Sequence, residues 1–331
     1  MGMIGTIGNL ALIREKTNFA IKNVALIKYT GCVNYNFLYQ ALQSPLVVNQ
    51  LSGTLDGGTQ KFISLGKIRK LSIPYSSEEE ANKIGAYLEN LDSLITLHQR
   101  KLEKLKNFKK AMLEKMFPKN GEKTPEIRFQ GFTDDWEQRK LPDLLKKSTG
   151  AMKIGPFGSA LKKDIYVSRG IKVYAQENIF KDNFGIGNYY ITENKYKELQ
   201  SCELFPGDIV ISMMGTIGAC AVFPEHAEKG IMNSHLLRLQ FGNDMLPEFV
   251  KLLLRDAPSI KIEMEKLSVG TIMTGLSSTV IKKLNLPVPS IKEQKKISAF
   301  FTALDKSITL HQRKLEFYFN IRKQFLGNSV S

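Results

Sequence analysis

A length of 331 residues allows two modest domains with connectors, and 43% apolar residues can supply real cores. No apolar run reaches the ~18 residues of a membrane span, and the opening residues do not read as a basic-then-apolar leader, so a cytoplasmic protein is expected. Forty-seven Lys and Arg against 32 Asp and Glu leave a net charge of +15, which points to a polyanionic partner, most simply nucleic acid. Three cysteines, Cys32, Cys202 and Cys220, form no CxxC and read as reduced thiols without a metal.

In chain order, the first distinctive element is MIGTIG at Met3–Gly8. It returns 210 residues later as MMGTIG at Met213–Gly218, with five of six residues identical. A second echo, ITLHQRKLE, occupies 95–103 and 308–316 letter for letter. The chain therefore holds two copies of one unit. The division expected from this is a partial first domain at 1–76, a long helix at 77–117, a linker at 118–135, a complete second domain at 136–289 and a second long helix at 290–327. Residues 1–76 align with 211 onward, so the first domain is expected to lack its front half. The remaining readings are a gene remnant or recombination donor, a start site set too far downstream, or a subunit that completes itself with a second copy.

The domains read as mixed α and β with short strands. Asp208–Met214 and Ala219–Phe223 flank GTIG as a hairpin would, and His235–Phe241 reads as a further strand. Pro247–Leu267 has apolar residues at helical spacing behind an opening proline. VGTIMTGLSS and its counterpart GGTQKFISLG read as loops, and short strands lead to Pro74 and Pro287.

Each long helix opens on a capping box, Ser77 with Glu80 and Ser290 with Glu293. In the first, Ile84, Leu88, Leu91, Ile95, His98, Leu102, Leu105, Met112 and Met116 keep a 4-3 spacing broken only by Lys109. The second repeats it with Ile297, Phe301, Leu304, Ile308, His311, Leu315 and Tyr318. This is a coiled-coil seam, and residues 84–103 and 297–316 agree at 13 of 20 positions. The pair is expected to pack antiparallel through Leu91, Ile95, His98, Leu102, Leu304, Ile308, His311 and Leu315, about a pseudo-twofold axis, and to hold the two domains apart. His98 and His311 have no Cys or carboxylate at ligand spacing beside them. They read as a polar pair that fixes register rather than as a zinc site. Phe108, Phe117, Phe317 and Phe319 read as core.

Catalytic signatures are missing. There is no GxxxxGK[ST] loop, HExxH, GxSxG or NPPY-like tetrapeptide, and no cluster of carboxylates of the kind a nuclease uses to hold metal. The residues describe a binder. A nucleic-acid-acting enzyme such as a nuclease, and a helical scaffold that does not read DNA, are the alternatives.

PEIRFQGFTDDWEQRKL after the first helix, IGPFGSALKKDIY, IKVYAQENI, LFPGDIVIS, MMGTIGACAVF and the twice-used LHQRKLE together resemble the DNA-specificity subunit of type I restriction–modification systems, over essentially the whole chain. That resemblance implies an α+β fold of two target-recognition domains separated by two long antiparallel helices, each domain reading half of a split DNA site. It implies no catalysis by this chain. Partners would be double-stranded DNA, two methyltransferase subunits and translocating endonuclease subunits, and S-adenosylmethionine, ATP and magnesium would bind to those partners. The incomplete first domain departs from the family and leaves self-association open.

Contacts to DNA are expected from the glycine- and lysine-rich loop 148–163, through Lys153, Ser159, Lys162 and Lys163, because glycines let backbone approach phosphate. Gln176 and Asn178 carry amides that can bind adenine bidentately, and Lys181 and Asn183 extend the same loop. Asn233, equivalent to Asn23, reads more readily as a turn than a contact. Thr271 and Thr59 sit in equivalent loops. Eight Lys and Arg against two Glu in residues 98–120 read first as a solvated helix face.

Overall fold

The computed structural model describes residues 1–15, 18, 20–28, 31, 33–53, 55–57, 61–75, 77–119, 121–157, 160–268 and 277–328. The chain divides into two compact units, Met1–Lys106 with Lys306–Ser331, and Asn107–Asp305.

In the first unit, α1 (Tyr35–Ala41) is capped by Asn34, whose side chain accepts from Asn36 N and Phe37 N. Ser44 caps α2 (Pro45–Ser52), which carries proline in its first turn. A short α3 (Leu65–Ile68) precedes the long helix α4 (Glu78–Lys115). Met1, Leu42, Val47, Leu51 and Ile63 form one small core, and Phe37, Ala41 and Ala81 form another between α1 and α4. A Cβ on Gly85 would stand 2.7 Å from Phe37 N, so glycine there permits the close approach of α1. Among the described residues of this copy, the pairing that stands where strands are expected is isolated bridges, Gly2 with Val24, Ile4 with Phe62 and Asp56 with Phe62.

Within this unit α4 runs antiparallel to the C-terminal helix, Ile291–Asn328. Arg322 donates to Asp92 at 2.6 Å, and His98 meets His311 at 2.7 Å, so one number falls as the other rises. Leu91, Ile95 and Ile308 are buried, and Leu88, Leu91 and Leu326 cluster. Phe317 and Phe319 are exposed, which corrects their reading as core.

The second unit begins with the remainder of α4, then β1 (Glu137–Lys140), β2 (Met152–Ile154), β3 (Ile171–Tyr174), α5 (Gln176–Phe180), β4 (Tyr190–Ile191) and α6 (Glu193–Leu199). There follow β5 (Ile209–Ser212), β6 (Cys220–Val222), β7 (Gly230–Met232), β8 (Leu236–Leu239), α7 (Pro247–Arg255), α8 (Pro258–Ser268), α9 (Ser278–Lys283), β9 (Asn285–Val288) and α10 (Ile291–Asn328). Three sheets result, ordered β1-β9, β2-β8-β5-β6 and β4-β3-β7. The GTIG hairpin forms, with Ile209 opposite Val222 and Ile211 opposite Cys220. Its glycines take left-handed backbone, φ 83° at Gly215 and 79° at Gly218. The equivalents Gly5 and Gly8 do the same at 75° and 84°, which explains why these letters survive in both copies.

β5 is buried along its whole length and shared by two cores. Ile209 and Ile211 face the larger one, with Trp136, Phe117, Phe249, Leu253 and Phe301, while Val210 faces Tyr174, Phe184, Tyr196 and Phe223. A continuous apolar run is what a strand covered on both faces requires.

Three expectations change here. Pro247–Leu267 is two helices, because Pro258 begins a new one after Asp256 and Ala257. Phe108 is exposed, although Phe117 is buried. Ser290 Oγ accepts from Glu293 N at 3.4 Å, but the Glu293 carboxylate turns to Arg128 instead of completing a box. Lys109, the break in the seam, lies 2.6 Å from Asp305 and 3.6 Å from Asp256.

Candidate nucleic-acid interface

The loop after β2 is set by close backbone contact. Gly155 N donates to Leu236 O at 2.9 Å, and a Cβ on Gly155 would fall 1.7 Å from Asn233 O, so only glycine fits. The loop then presents Phe157, 90% exposed, beside a cleft of about 980 Å³. Lys153, His235, Ser278 and Lys282 also line that cleft, so β2, the turn leading into β8, α9 and the loop converge on one opening that carries two lysines.

Around α5 a second group assembles. Gln176 Nε2 donates to Ser212 Oγ at 2.8 Å and to the Met214 carbonyl at 3.2 Å, which ties the start of α5 to the GTIG turn. Asn178 is a correction. It is 1% exposed, its Oδ1 accepts from Ala175 N at 2.8 Å, and its Nδ2 donates to Asn183 O and Ile186 O. Its amide is therefore consumed in shaping the turn and is not offered to a base edge. That turn holds Lys181 and Asn183 exposed, with Asn183 Oδ1 accepting from Gly185 N at 2.9 Å. Asp182 between them has φ 47° and pairs with Lys251.

Lys162 and Lys163 are exposed at a 3-10 turn spanning Lys163–Ile165. Asn233 makes a turn, its Oδ1 accepting from His235 N at 3.0 Å. Ser159, Thr271 and Thr59 lie outside the described residues. The structure thus brings Lys153 to the cleft and Gln176 to the GTIG turn. Phe157, His235 and Lys282 were not singled out from sequence. The signal available in the sequence for Phe157 is the pair of glycines, Gly155 and Gly158, that flank Pro156–Phe157.

Buried polar groups elsewhere are structural. Asp208, whose carboxyl is pushed up by burial against N–H donors from Phe205 and Gln240, sits 3.9 Å from buried Arg238. Cys202 and Cys220 are free and buried, and burial pushes the Cys220 thiol up to about 12, far from a nucleophile's range. Among the described residues no group of three or more His, Cys, Asp or Glu is placed to hold a metal, and no helix is long and apolar enough to cross a membrane.

Comparison with known proteins decides the family. The profile described as type I restriction modification DNA specificity domain matches residues 1–107 and 133–316. The chain belongs to this family.

The chain is 22% identical over 301 residues to the type I restriction enzyme MjaVIII specificity subunit of Methanocaldococcus jannaschii, covering 88% of this chain and 68% of that protein. A second relative from that organism, the putative MjaX specificity subunit, is 22% identical over 271 residues, with 81% of this chain and 60% of that protein covered. Among solved structures, the HsdS subunit of Thermoanaerobacter tengcongensis aligns with a TM-score of 0.51 at 16% identity, over 88% of this chain and 68% of that one. The S subunit of M. genitalium aligns with a TM-score of 0.53 at 17% identity, over 89% and 72%. These structures share the fold of the specificity subunit, mixed α and β with two long helices.

Proposed function

We propose that this specificity subunit is the non-catalytic sequence reader of a type I restriction–modification complex. Its second unit reads one half-site through the cleft beside Phe157 and the Gln176–Asn183 turn. The observation that carries the proposal is the family match across both copies of the internal repeat, residues 1–107 and 133–316. Two copies of one recognition unit suit a bipartite DNA site, with the first copy addressing the other half. Exposed lysines would neutralise phosphate, and amides would address groove edges. The solvated faces of α4 and α10 would dock two methyltransferase subunits, and endonuclease subunits would join the larger assembly. S-adenosylmethionine, ATP and magnesium would belong to those partners.

The test is selection from a random duplex library by the subunit with its methyltransferase partners, repeated across salt. Enrichment of one motif, with affinity falling steeply as salt rises, is expected. Enrichment of no motif would favour a scaffold. Cleavage or methylation by the purified chain alone, given DNA, magnesium, ATP and S-adenosylmethionine, would contradict the proposal.

A further inference from the structure

The turn that carries Lys181 and Asn183 is held in an uncommon backbone. Among the described residues, the non-glycine positions with left-handed φ are Asp182 at 47° and Asn23 at 63°. Such a conformation persists where its surroundings over-determine it. The surroundings of Asp182 are ionic. Its carboxylate pairs with Lys251, and Arg255 Nη1 lies 3.7 Å from the same oxygen. Both cations stand on α7, four residues apart and so on one face. The buried residues Phe249, Val250 and Leu253 fix that helix in the larger core.

Arg255 also reaches inward. Its Nη2 lies 2.9 Å from Asp256 and 3.7 Å from Asp305 of α10. Lys109 of α4 in turn lies 2.6 Å from Asp305 and 3.6 Å from Asp256. A continuous ladder of charges therefore runs from the turn to both long helices, inside one compact unit. The end of α7 abuts the GTIG turn as well. A Cβ on Gly218 would stand 2.5 Å from the Leu254 carbonyl oxygen, and one on Gly215 would stand 3.2 Å from the Phe180 ring of α5. So α5, the GTIG turn and the end of α7 meet at one place. The side chains of Asp182 and Arg255 are 41% and 30% exposed, and ion pairs so placed add little to global stability. Their weight falls on local geometry.

We infer that Arg255, with Lys251, is a positioning residue for DNA recognition. The two cations clamp Asp182, so that Lys181 and Asn183 on either side meet DNA in a fixed arrangement. They also cancel a negative charge that would repel phosphate. The ladder makes the long helices part of the support of the reading turn. This inference rests on the reading that the Gln176–Asn183 turn meets DNA.

The test uses the intact chain with its methyltransferase partners and measures discrimination, the ratio of affinities for the enriched duplex and a scrambled one. Phosphate attraction is common to both duplexes and divides out. Discrimination should fall about 5- to 10-fold in Lys251→Ala/Arg255→Ala. It should fall equally in Asp182→Asn, which removes the charge but keeps a residue type that tolerates left-handed backbone. The triple variant should be no worse than either, as groups acting as one unit require. The amides of 181–183, bonded to the carbonyls of Glu177, Ile179 and Asn178, should exchange faster in all three variants while those of α7 stay slow. Asn183→Ala separates the inference from the reading beneath it. If Asn183→Ala lowers discrimination and the ladder variants keep it, the turn reads DNA without a clamp and the inference alone is overturned. If every variant keeps full discrimination, both fall. Additive losses in the triple variant, or faster exchange throughout α7, would mark a general structural effect and overturn the inference too.

Discussion

His98 and His311, the same letter of the repeated ITLHQRKLE, meet with their Nδ1 atoms 2.7 Å apart and ring centroids 4.9 Å apart. One ring must donate and the other accept, so the contact requires that at least one imidazole be neutral. Burial, then His98, Lys101 and Lys314, lower the His311 pKa below its usual value, and the Tyr318 ring lies tilted against His98 with centroids 5.5 Å apart.

A histidine with a lowered folded-state pKa binds fewer protons folded than unfolded. Stability is therefore full above the unfolded value of about 6.5 and declines as pH falls below it toward the lowered folded one. Urea midpoints taken from pH 7.5 down to 5.5 should fall, and the double variant His98→Leu/His311→Leu should flatten that slope. An unchanged slope would remove the histidine pair as its source.

Lys109 joins α4 to α10 through Asp305 at 2.6 Å, within a network in which Arg255 lies 2.9 Å from Asp256 and 3.7 Å from Asp305. Lys109→Ala should destabilise by about 1–2 kcal/mol, because the carboxylates are partly desolvated and keep only Arg255. Lys106→Ala, on the exposed face, should change stability by less than about 0.5 kcal/mol. Equilibrium denaturation of both variants separates the two roles.

Arg128 grips Glu293 with two bonds of 2.7 and 2.8 Å, and Glu293 is 1% exposed. Glu293→Ala leaves a largely buried guanidinium unpaired and should cost about 3 kcal/mol. Glu293→Gln, which keeps one acceptor, should cost less. Equal losses in the two variants would mean that packing rather than pairing sets the effect.

Much of this architecture is legible in the sequence. Two echoed phrases give the repeat, and the cap at Ser77 with the 4-3 spacing that ends at Met116 gives a helix over 77–117, within two residues of the observed ends of α4. The Pro258 break is hidden because Phe249, Leu253, Ile260 and Met264 are all buried in one core. The apolar periodicity thus runs on through two helices, although a proline at a first helical position was the available signal. Lys109 reads as a flaw in a stripe until the aspartates of two other segments appear beside it. Asn178 illustrates the limit for site residues. Its letter is that of a base-reading amide, and only the placement of three backbone groups around it shows that it works inward.

That distinction predicts different phenotypes for neighbouring amides. Asn178→Ala should lower stability by about 2–3 kcal/mol through unsatisfied buried backbone. Gln176→Ala, which loses the bonds to Ser212 and the Met214 carbonyl but leaves its partners nearer solvent, should cost less, about 1 kcal/mol, and alter the preferred DNA motif. Binding and urea curves on both variants check this.

At the cleft, Phe157→Ala should weaken DNA binding roughly 5- to 100-fold if the ring stacks on a base. Lys162→Ala and Lys163→Ala should each reduce the salt slope by about 1 with little change of motif. Filter binding across salt distinguishes the two effects. A Phe157→Ala variant with full affinity would remove the ring from the interface.

The most direct measurement is a genome-wide map of methylated adenines in cells expressing the methyltransferase subunit with or without this chain. A motif that appears only with the chain, and that changes when Gln176 and the 181–183 turn are replaced, is the predicted result. Methylation at the same sites without the chain, or a motif indifferent to those replacements, would contradict the account.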